Sequence, residues 1–263
     1  MFRSSVALTK RFEVSAGFAP AGELTRSGDF LARLAATQEQ RDTIYRLRFN
    51  VFNIELNEGL DSAFSSSRDI DEFDHFCDHV LIEHEPSGEI VGTYRMQSGT
   101  VASRALGYYS EREFDFTPYR HLAPKIVELG RACIVRGFRS YEVLALLWRA
   151  VALYAKMNDA RYLIGCSSVT SQNPGIGWGI YERLRRYEVA CELRTTPTSA
   201  FALPDEPPES DGARIPKLLR AYLAVGAKIC GPPALDREFK TIDFLTLLDM
   251  ESMSATARAH FFR

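Results

Sequence analysis

The strongest restriction on the fold is an arginine set inside an apolar stripe. In the stretch RLRFNVFNIEL (residues 46–56), read as a helix, Ile44, Leu47, Val51 and Phe52 recur at the spacing of one buried face. Arg48 lies four residues after Ile44 and four before Phe52, within that face. A guanidinium stays charged in a protein interior, and burying it unpaired is costly. The chain must therefore fold so that carboxylates meet this side chain.

The overall composition leaves that charge to be met locally. At 263 residues the chain can bury a substantial core. Its 46% apolar and 25% charged residues are ordinary for a globular protein. A formal net charge of -2 gives no general attraction to nucleic acid, so any basic site is a local patch. No apolar run approaches the roughly 18 residues of a spanning helix. The opening MFRSSVALTKRF lacks the apolar core of a signal peptide. The five cysteines are widely spaced and free of CxxC, which reads as reduced, non-catalytic thiols in a cytosolic protein, with no metal site.

Along the chain the pattern alternates between helix and strand. Residues 1–35 read as a loose N-terminal arm, and 36–263 as a single domain. A helix spans about 38–56. The acidic loop SSSRDIDEFDHFCD leads into a strand at 79–83, joined through the turn EPSGE to a strand at 90–98. A short helix begins near Ser110. KIVELGRACIV (125–135) is a strand, followed by a helix over 141–157, a strand RYLIGCSSV, and a helix around 179–186. After a Pro-rich excursion, Pro216 opens a helix that stops at Gly226, and TIDFLTLLDM closes the fold as a strand. The expected class is α/β (α+β).

Two places carry chemistry. The turn Arg136-Gly137-Phe138-Arg139-Ser140 joins a strand to the 141–157 helix, whose N-terminal N–H groups suit a phosphate. Gly137 permits close backbone approach, Arg139 adds charge and Ser140 can cap the helix. An ordinary capped βα turn is the competing reading. In the acidic loop, Glu72, Asp74 and Asp78 share parity and would project together from an extended segment, toward Arg48 and the strand arginine Arg95. A solvated acidic loop competes here. Calcium is disfavoured: Phe73 holds the fifth position of a loop starting at Asp69, and the sixth, Asp74, is not glycine. Glu128 is likewise embedded in an apolar strand, with Arg131 on the opposite face by strict alternation unless a bulge resets the parity. Together these residues imply one internal charge network.

The order RLRFNVF, EFDHFCDHVLI, GEIVGTYRM, VELGRACIV, then a βα turn and a Leu- and Trp-containing helix, resembles the acyl-carrier-protein-dependent branch of the GNAT N-acyltransferases over about residues 40–170. That branch contains the acyl-homoserine-lactone synthases and the ornithine lipid synthases. The ending LLRAYLAVGAKICGPPALDREFKTIDFLTLLDM resembles the ornithine group alone. The resemblance implies a GNAT-like mixed, twisted, splayed central sheet with helices on both faces. RGFRS lacks the full Gly-rich pyrophosphate signature of acetyl-CoA-using members, which favours a carrier-protein donor with its single pantetheine phosphate.

Carried over residue by residue, the resemblance assigns Arg48, Phe52, Glu72, Asp78 and Arg95 to substrate binding and Glu128, Arg131 and Asp74 to catalysis. Ala132, Cys133, Arg136, Gly137, Arg139 and Ser140 fall to the acyl and phosphopantetheine side. Amide formation needs a base to take a proton from the ammonium, here Glu128 directly or through water, and an oxyanion donor, here a backbone N–H beside Ala132 or Cys133. Ile126, Leu129 and Ile164 would line an acyl tunnel. The implied reaction moves a long-chain, including 3-hydroxy, acyl group from acyl-ACP to the α-amine of ornithine, with no tightly bound cofactor. The acyl carrier protein and an amino acid are the implied partners, in the cytoplasm or peripheral to the inner membrane. Another acceptor such as glycine or tyrosine, a CoA-dependent reaction, and a non-catalytic lipid- or carrier-binding protein remain as alternatives.

Overall fold

A computed structural model describes residues 22–209, 214–255 and 258–259. Its strands are β1 (Glu23–Ser27), β2 (Phe30–Leu34), β3 (Asp78–His84), β4 (Glu89–Ser98), β5 (Ile126–Ile134), β6 (Tyr162–Val169), β7 (Lys228–Ile229), β8 (Ala234–Asp236) and β9 (Thr241–Asp249). The α-helices are α1 (Gln38–Phe49), α2 (Gly99–Ala102), α3 (Tyr141–Met157), α4 (Pro174–Leu184) and α5 (Lys217–Ala224). The strands form one sheet in the order β1-β2-β3-β4-β5-β6-β9-β7, with β8 also on β9. Only β5 and β6 run parallel; the other pairs are antiparallel. The fold is the mixed, helix-covered sheet that the sequence implies.

Alternation along β3 shows how both faces are covered. Val80 and Ile82 pack with Val143, Leu147 and Val151 of α3. Leu81 points the other way, to Ile44 and Tyr45 of α1. In the C-terminal half, Ile242 and Phe244 of β9 meet Ile180 and Leu184 of α4 and Leu219 of α5. Leu245 and Leu247, of opposite parity, pack on Phe114, Phe116 and Tyr119 from the connection before β5.

Local signals fix the helix ends. Thr37 and Gln40 form a reciprocal capping box at the start of α1. The helix then widens into π-helical turns at Asn50–Glu55, a form that recurs near functional sites. Ser140 caps α3, Asn173 caps α4 ahead of Pro174, and Gly226 ends α5 with φ +109°.

The N-terminal expectation is corrected. Residues 23–34 are an ordered hairpin, β1–β2, added to the sheet beside β3, not part of a loose arm. The two-residue connection Gly28-Asp29, with Gly28 at φ +51°, supplies the turn. Residues 1–21 lie outside the described residues.

Candidate active site

The site lies where the sheet opens. The β5–β6 ladder holds only at Ile126–Tyr162, Val127–Leu163 and Glu128–Ile164, after which the two strands diverge. At that point the Leu129 carbonyl leans across Gly165, where an added Cβ would come within 2.2 Å of the oxygen. On its other edge β5 is bulged: Arg95 pairs with Gly130 and Thr93 with Cys133, so Tyr94 faces both Arg131 and Ala132. Arg131 takes φ +53°, a region that a non-glycine residue occupies at a cost. The bulge resets the parity, and Glu128 and Arg131 reach the same cavity.

Arg48 meets its carboxylates beside this opening. It is fully buried and donates from Nε to Asp69 Oδ1 at 2.8 Å, and from Nη1 and Nη2 to Asp74 at 2.7 and 3.0 Å. Its Nη2 also bonds Asp69. Arg95 donates from Nη1 to both oxygens of Asp71, at 2.7 and 2.8 Å. Arg131 reaches Asp71 Oδ2 at 3.0 Å and Asp69 Oδ1 at 3.3 Å, with its guanidinium 4.3 Å from the Phe239 ring centroid. Phe52 completes this wall edge-on to Phe239. Burial alone would raise the Asp74 carboxyl, but Arg48 and Arg95 hold it well below the usual carboxylate range. Three arginines thus stand against three aspartates. His79 adjoins them but is neutral, pushed down to about 3 chiefly by burial, so its 3.6 Å approach to Asp74 is no ion pair.

Two acidic expectations fail here. The segment Glu72–His75 is a 3-10 turn, not extended, so Glu72 faces solvent while Asp74 faces inward. Asp71 caps that turn and Asp74 returns a bond to the Asp71 N–H, a capping box that brings both carboxylates to the arginines. Asp78 sits apart on β3 and accepts a bond from the Tyr154 hydroxyl of α3 at 2.7 Å. Asp69 and Asp71 take the places that parity assigned to Glu72 and Asp78.

Glu128 is buried and accepts three hydrogen bonds: from the Tyr109 N–H at 2.7 Å, the Ser110 N–H at 2.8 Å and the Ser110 hydroxyl at 2.6 Å. Burial raises its carboxyl above the ordinary value, against the pull of those donors. It forms part of the wall of a cavity of about 480 Å³. A smaller apolar crevice lies between Leu129, Ile164, Trp148 and Tyr222. Leu129 and Ile164 line this crevice, whereas Ile126 is packed away with Tyr108 and Tyr119.

The opposite side of the cavity carries acids that the sequence reading missed. Glu58, Asp236 and Asp243 line it, with Glu113 behind Cys166. All four are buried, and among the described residues none has an arginine, lysine or histidine within ion-pair distance. Burial, with the neighbouring Asp236, pushes Asp243 up to about 6, and burial with Asp243 and Asp236 holds Glu113 well above its usual range. An aspartate inside the apolar strand TIDFLTLLDM is the same signal that singled out Glu128.

The geometry is accompanied by clear similarity to known proteins. A family described as "Acetyltransferase (GNAT) domain" matches residues 47–149. The L-ornithine N(alpha)-acyltransferase of Brucella abortus (strain 2308) is 30% identical over 251 residues, covering 88% of each chain. The chain belongs to this acyltransferase family. The enzyme of the same description from Rhizobium meliloti (strain 1021) is 29% identical, over 90% of this chain and 86% of its own. Among solved structures, FeeM, an N-acyl amino acid synthase from uncultured soil microbes, superimposes with a TM-score of 0.52 at 14% identity, covering 88% of this chain and 97% of its own. That likeness shows a shared fold.

In this acyltransferase the predicted phosphate turn has a different neighbourhood from the one spacing suggests. Arg136, Gly137, Arg139 and Ser140 are exposed ahead of α3. Arg139 is engaged by Glu55 in a two-pronged pair at 2.6 and 2.9 Å, and the Ser140 hydroxyl already accepts the Val143 N–H. Glu142 in the first turn of α3 is held by Ser27 of the N-terminal hairpin. Ala132 and Cys133 line the cavity on β5, and all five cysteines are free thiols. Among the described residues no helix is long and apolar enough to cross a membrane.

Proposed function

We propose that the enzyme transfers a long-chain, including 3-hydroxy, acyl group from an acyl-carrier-protein thioester to the α-amine of ornithine, giving a lyso-ornithine-lipid-type product. The observation that carries this reading is the opening between β5 and β6, where an acid-lined cavity adjoins an apolar crevice. The names of the two relatives supply ornithine as the acceptor.

In this reading the acyl chain lies against Leu129, Ile164, Trp148 and Tyr222, and the thioester carbonyl rests beside the bulged strand. Backbone N–H groups around Ala132 and Cys133, on an edge the β6 ladder no longer covers, stabilise the oxyanion. Glu128, directly or through a water, takes the proton from the α-ammonium, and its raised proton affinity suits that role. The freed amine attacks the carbonyl carbon, the C–N bond forms and the C–S bond breaks; of the two protons the nitrogen gives up, one ends on sulfur and the other leaves to solvent. Arg48, Arg95 and Arg131, locked to their aspartates, hold this wall in shape. No tightly bound cofactor is needed. The donor protein docks over the turn containing Arg136 and Arg139, and the amphiphilic product brings the cytoplasmic enzyme to the inner-membrane surface.

Incubation of the purified enzyme with acyl-ACP and a panel of amino acids, read by mass spectrometry, tests this. The expected result is N-acyl-ornithine as the dominant product. Equal acylation of unrelated amino acids, or equal use of acyl-CoA, overturns the acceptor or the donor respectively.

A further inference from the structure

The unbalanced acids on the cavity wall suit a cation that enters from outside. Asp243 on β9 is 4% exposed and Glu113 is 1% exposed. Asp243 Oδ1 and Glu113 Oε1 accept from no protein donor, and the two carboxyls lie against each other, with Ser168 and Thr241 beside Asp243. Ligand-type atoms of Glu113, Cys166 and Asp243 lie within 4.8 Å of one another. Asp236 is different: its Oδ1 accepts the N–H groups of Glu238 and Phe239, so it fixes the turn before β9 while adding charge. Glu58 bonds Thr170 across the cavity and adds a further negative group.

We propose that Asp243 and Glu113, reinforced by Asp236 and Glu58, bind the distal ammonium of the amino-acid acceptor and make the enzyme selective for diamino acids. The inference rests on the N-acyltransferase reading above. Glu128 and the acidic pair are linked through short steps: Ser110 Oγ is 2.6 Å from Glu128 and 3.6 Å from Cys166 Sγ, which is 3.7 Å from Glu113 Oε2. A diamine bridged by three methylenes can thus present its α-amine near Glu128 while its other end stays with Asp243. An ammonium between two carboxylates replaces the water it leaves behind, and unpartnered buried acceptors are the groups that gain most from a charged donor. An acceptor without the second amine leaves those carboxylates unpaired, and this rejects it. A divalent metal ion held by Glu113, Cys166 and Asp243 is the competing occupant.

The test compares ornithine with norvaline, the same carbon chain without the δ-amine, as acceptors for wild type, Asp243→Asn and the Asp243→Asn/Glu113→Gln double variant. Wild type is expected to favour ornithine in kcat/KM by about 10²-fold or more. The variants lose most of that preference through a higher KM for ornithine, while norvaline acylation stays the same or improves. Thermal shift by ornithine, absent with norvaline, disappears in the same variants. An unchanged ornithine-to-norvaline ratio in folded variants overturns the proposal, as does an equal loss with both acceptors, which would make Asp243 a base. Stoichiometric zinc in purified wild type, lost in Cys166→Ser, also overturns it. Wild type inactive on every amino acid is instead a failure of the acyltransferase substrate reading.

Discussion

Two sets of buried charges flank one cavity and differ in their balance. On the α1 side, Arg48, Arg95 and Arg131 are matched by Asp69, Asp71 and Asp74. On the β9 side, Glu58, Glu113, Asp236 and Asp243 have no cationic partner among the described residues. A balanced buried network is complete and acts as framework, since removing one member leaves the others uncompensated. An unbalanced one is paid for by shifted protonation until a cation arrives. Position near a cavity therefore does not distinguish wall from binding site here; charge balance does.

Breaking the balanced side has the largest expected effect. Arg48→Ala leaves buried Asp69 and Asp74 with only their longer contacts to Arg131 and Arg95, at a cost of about 3–5 kcal/mol. Denaturant unfolding should show it, together with loss of turnover. Wild-type stability and activity in this variant would place the aspartates in water and dissolve the contrast.

Glu128 stands between the two sides and comes next. Glu128→Gln should lower turnover by about 10²–10⁴-fold. A Gln side chain cannot accept at both oxygens, so one of the Tyr109 and Ser110 N–H bonds is also lost, at about 1–3 kcal/mol. Measuring turnover well below the melting temperature separates the two losses. Full turnover would move the base elsewhere, with Asp74 next by expectation, although the arginines around Asp74 make it a weak proton acceptor.

The two sides should also respond oppositely to pH. Asp71 and Asp74 have carboxyls lowered by their arginines, so their contribution is present above the unfolded value of 3.8 and is lost as pH falls through their folded values. Asp243 is raised to about 6, so the folded state holds its proton more tightly, and stability falls as pH rises from 3.8 through 6. Asp243→Asn should therefore raise the melting temperature at pH 8 by an amount on the order of a few degrees, and by less at pH 4. The same rise at both pH values would mean that Asp243 does not titrate in this window.

The balanced side was half legible in sequence, and the reason is the local backbone. An arginine in an apolar helical stripe announces a buried ion pair and the family resemblance implies a splayed sheet, whereas the bulge at Arg131 is only an exception that strict alternation leaves open. Parity places Asp74 correctly but points to Glu72 and Asp78 in place of Asp69 and Asp71, because it applies to extended chain, whereas Glu72–His75 coils. The spacing Asp71-x-x-Asp74 was the available cue, since it is that of a capping box. Gly28-Asp29 similarly signalled the missed hairpin. On the unbalanced side Asp243 carried a signal, but Glu113 sits in an irregular connection, and only the fold brings it to β9.

The smallest expected effect tests whether a third set of charges, on the surface around the cavity mouth, belongs to the contrast at all. Arg136 and Arg139 are exposed at the mouth of α3, and Arg214, Lys217 and Arg220 recur at three-residue spacing into α5. Carrier proteins are acidic, and exposed charges act mainly on association rate and its salt dependence. Arg139 is paired with both oxygens of Glu55 and donates from Nε to the Ile134 carbonyl, so it meets a partner only by exchanging that pair. Arg139→Glu puts two acids side by side at the docking turn. The expected outcome is an apparent KM for acyl-ACP raised several-fold at low salt, converging on wild type as salt screens the surface, with kcat and melting temperature little changed. An unaltered KM for acyl-ACP would move the docking surface away from this turn, and the α5 cations, one of which, Lys217, lines the cavity, become the next to reverse.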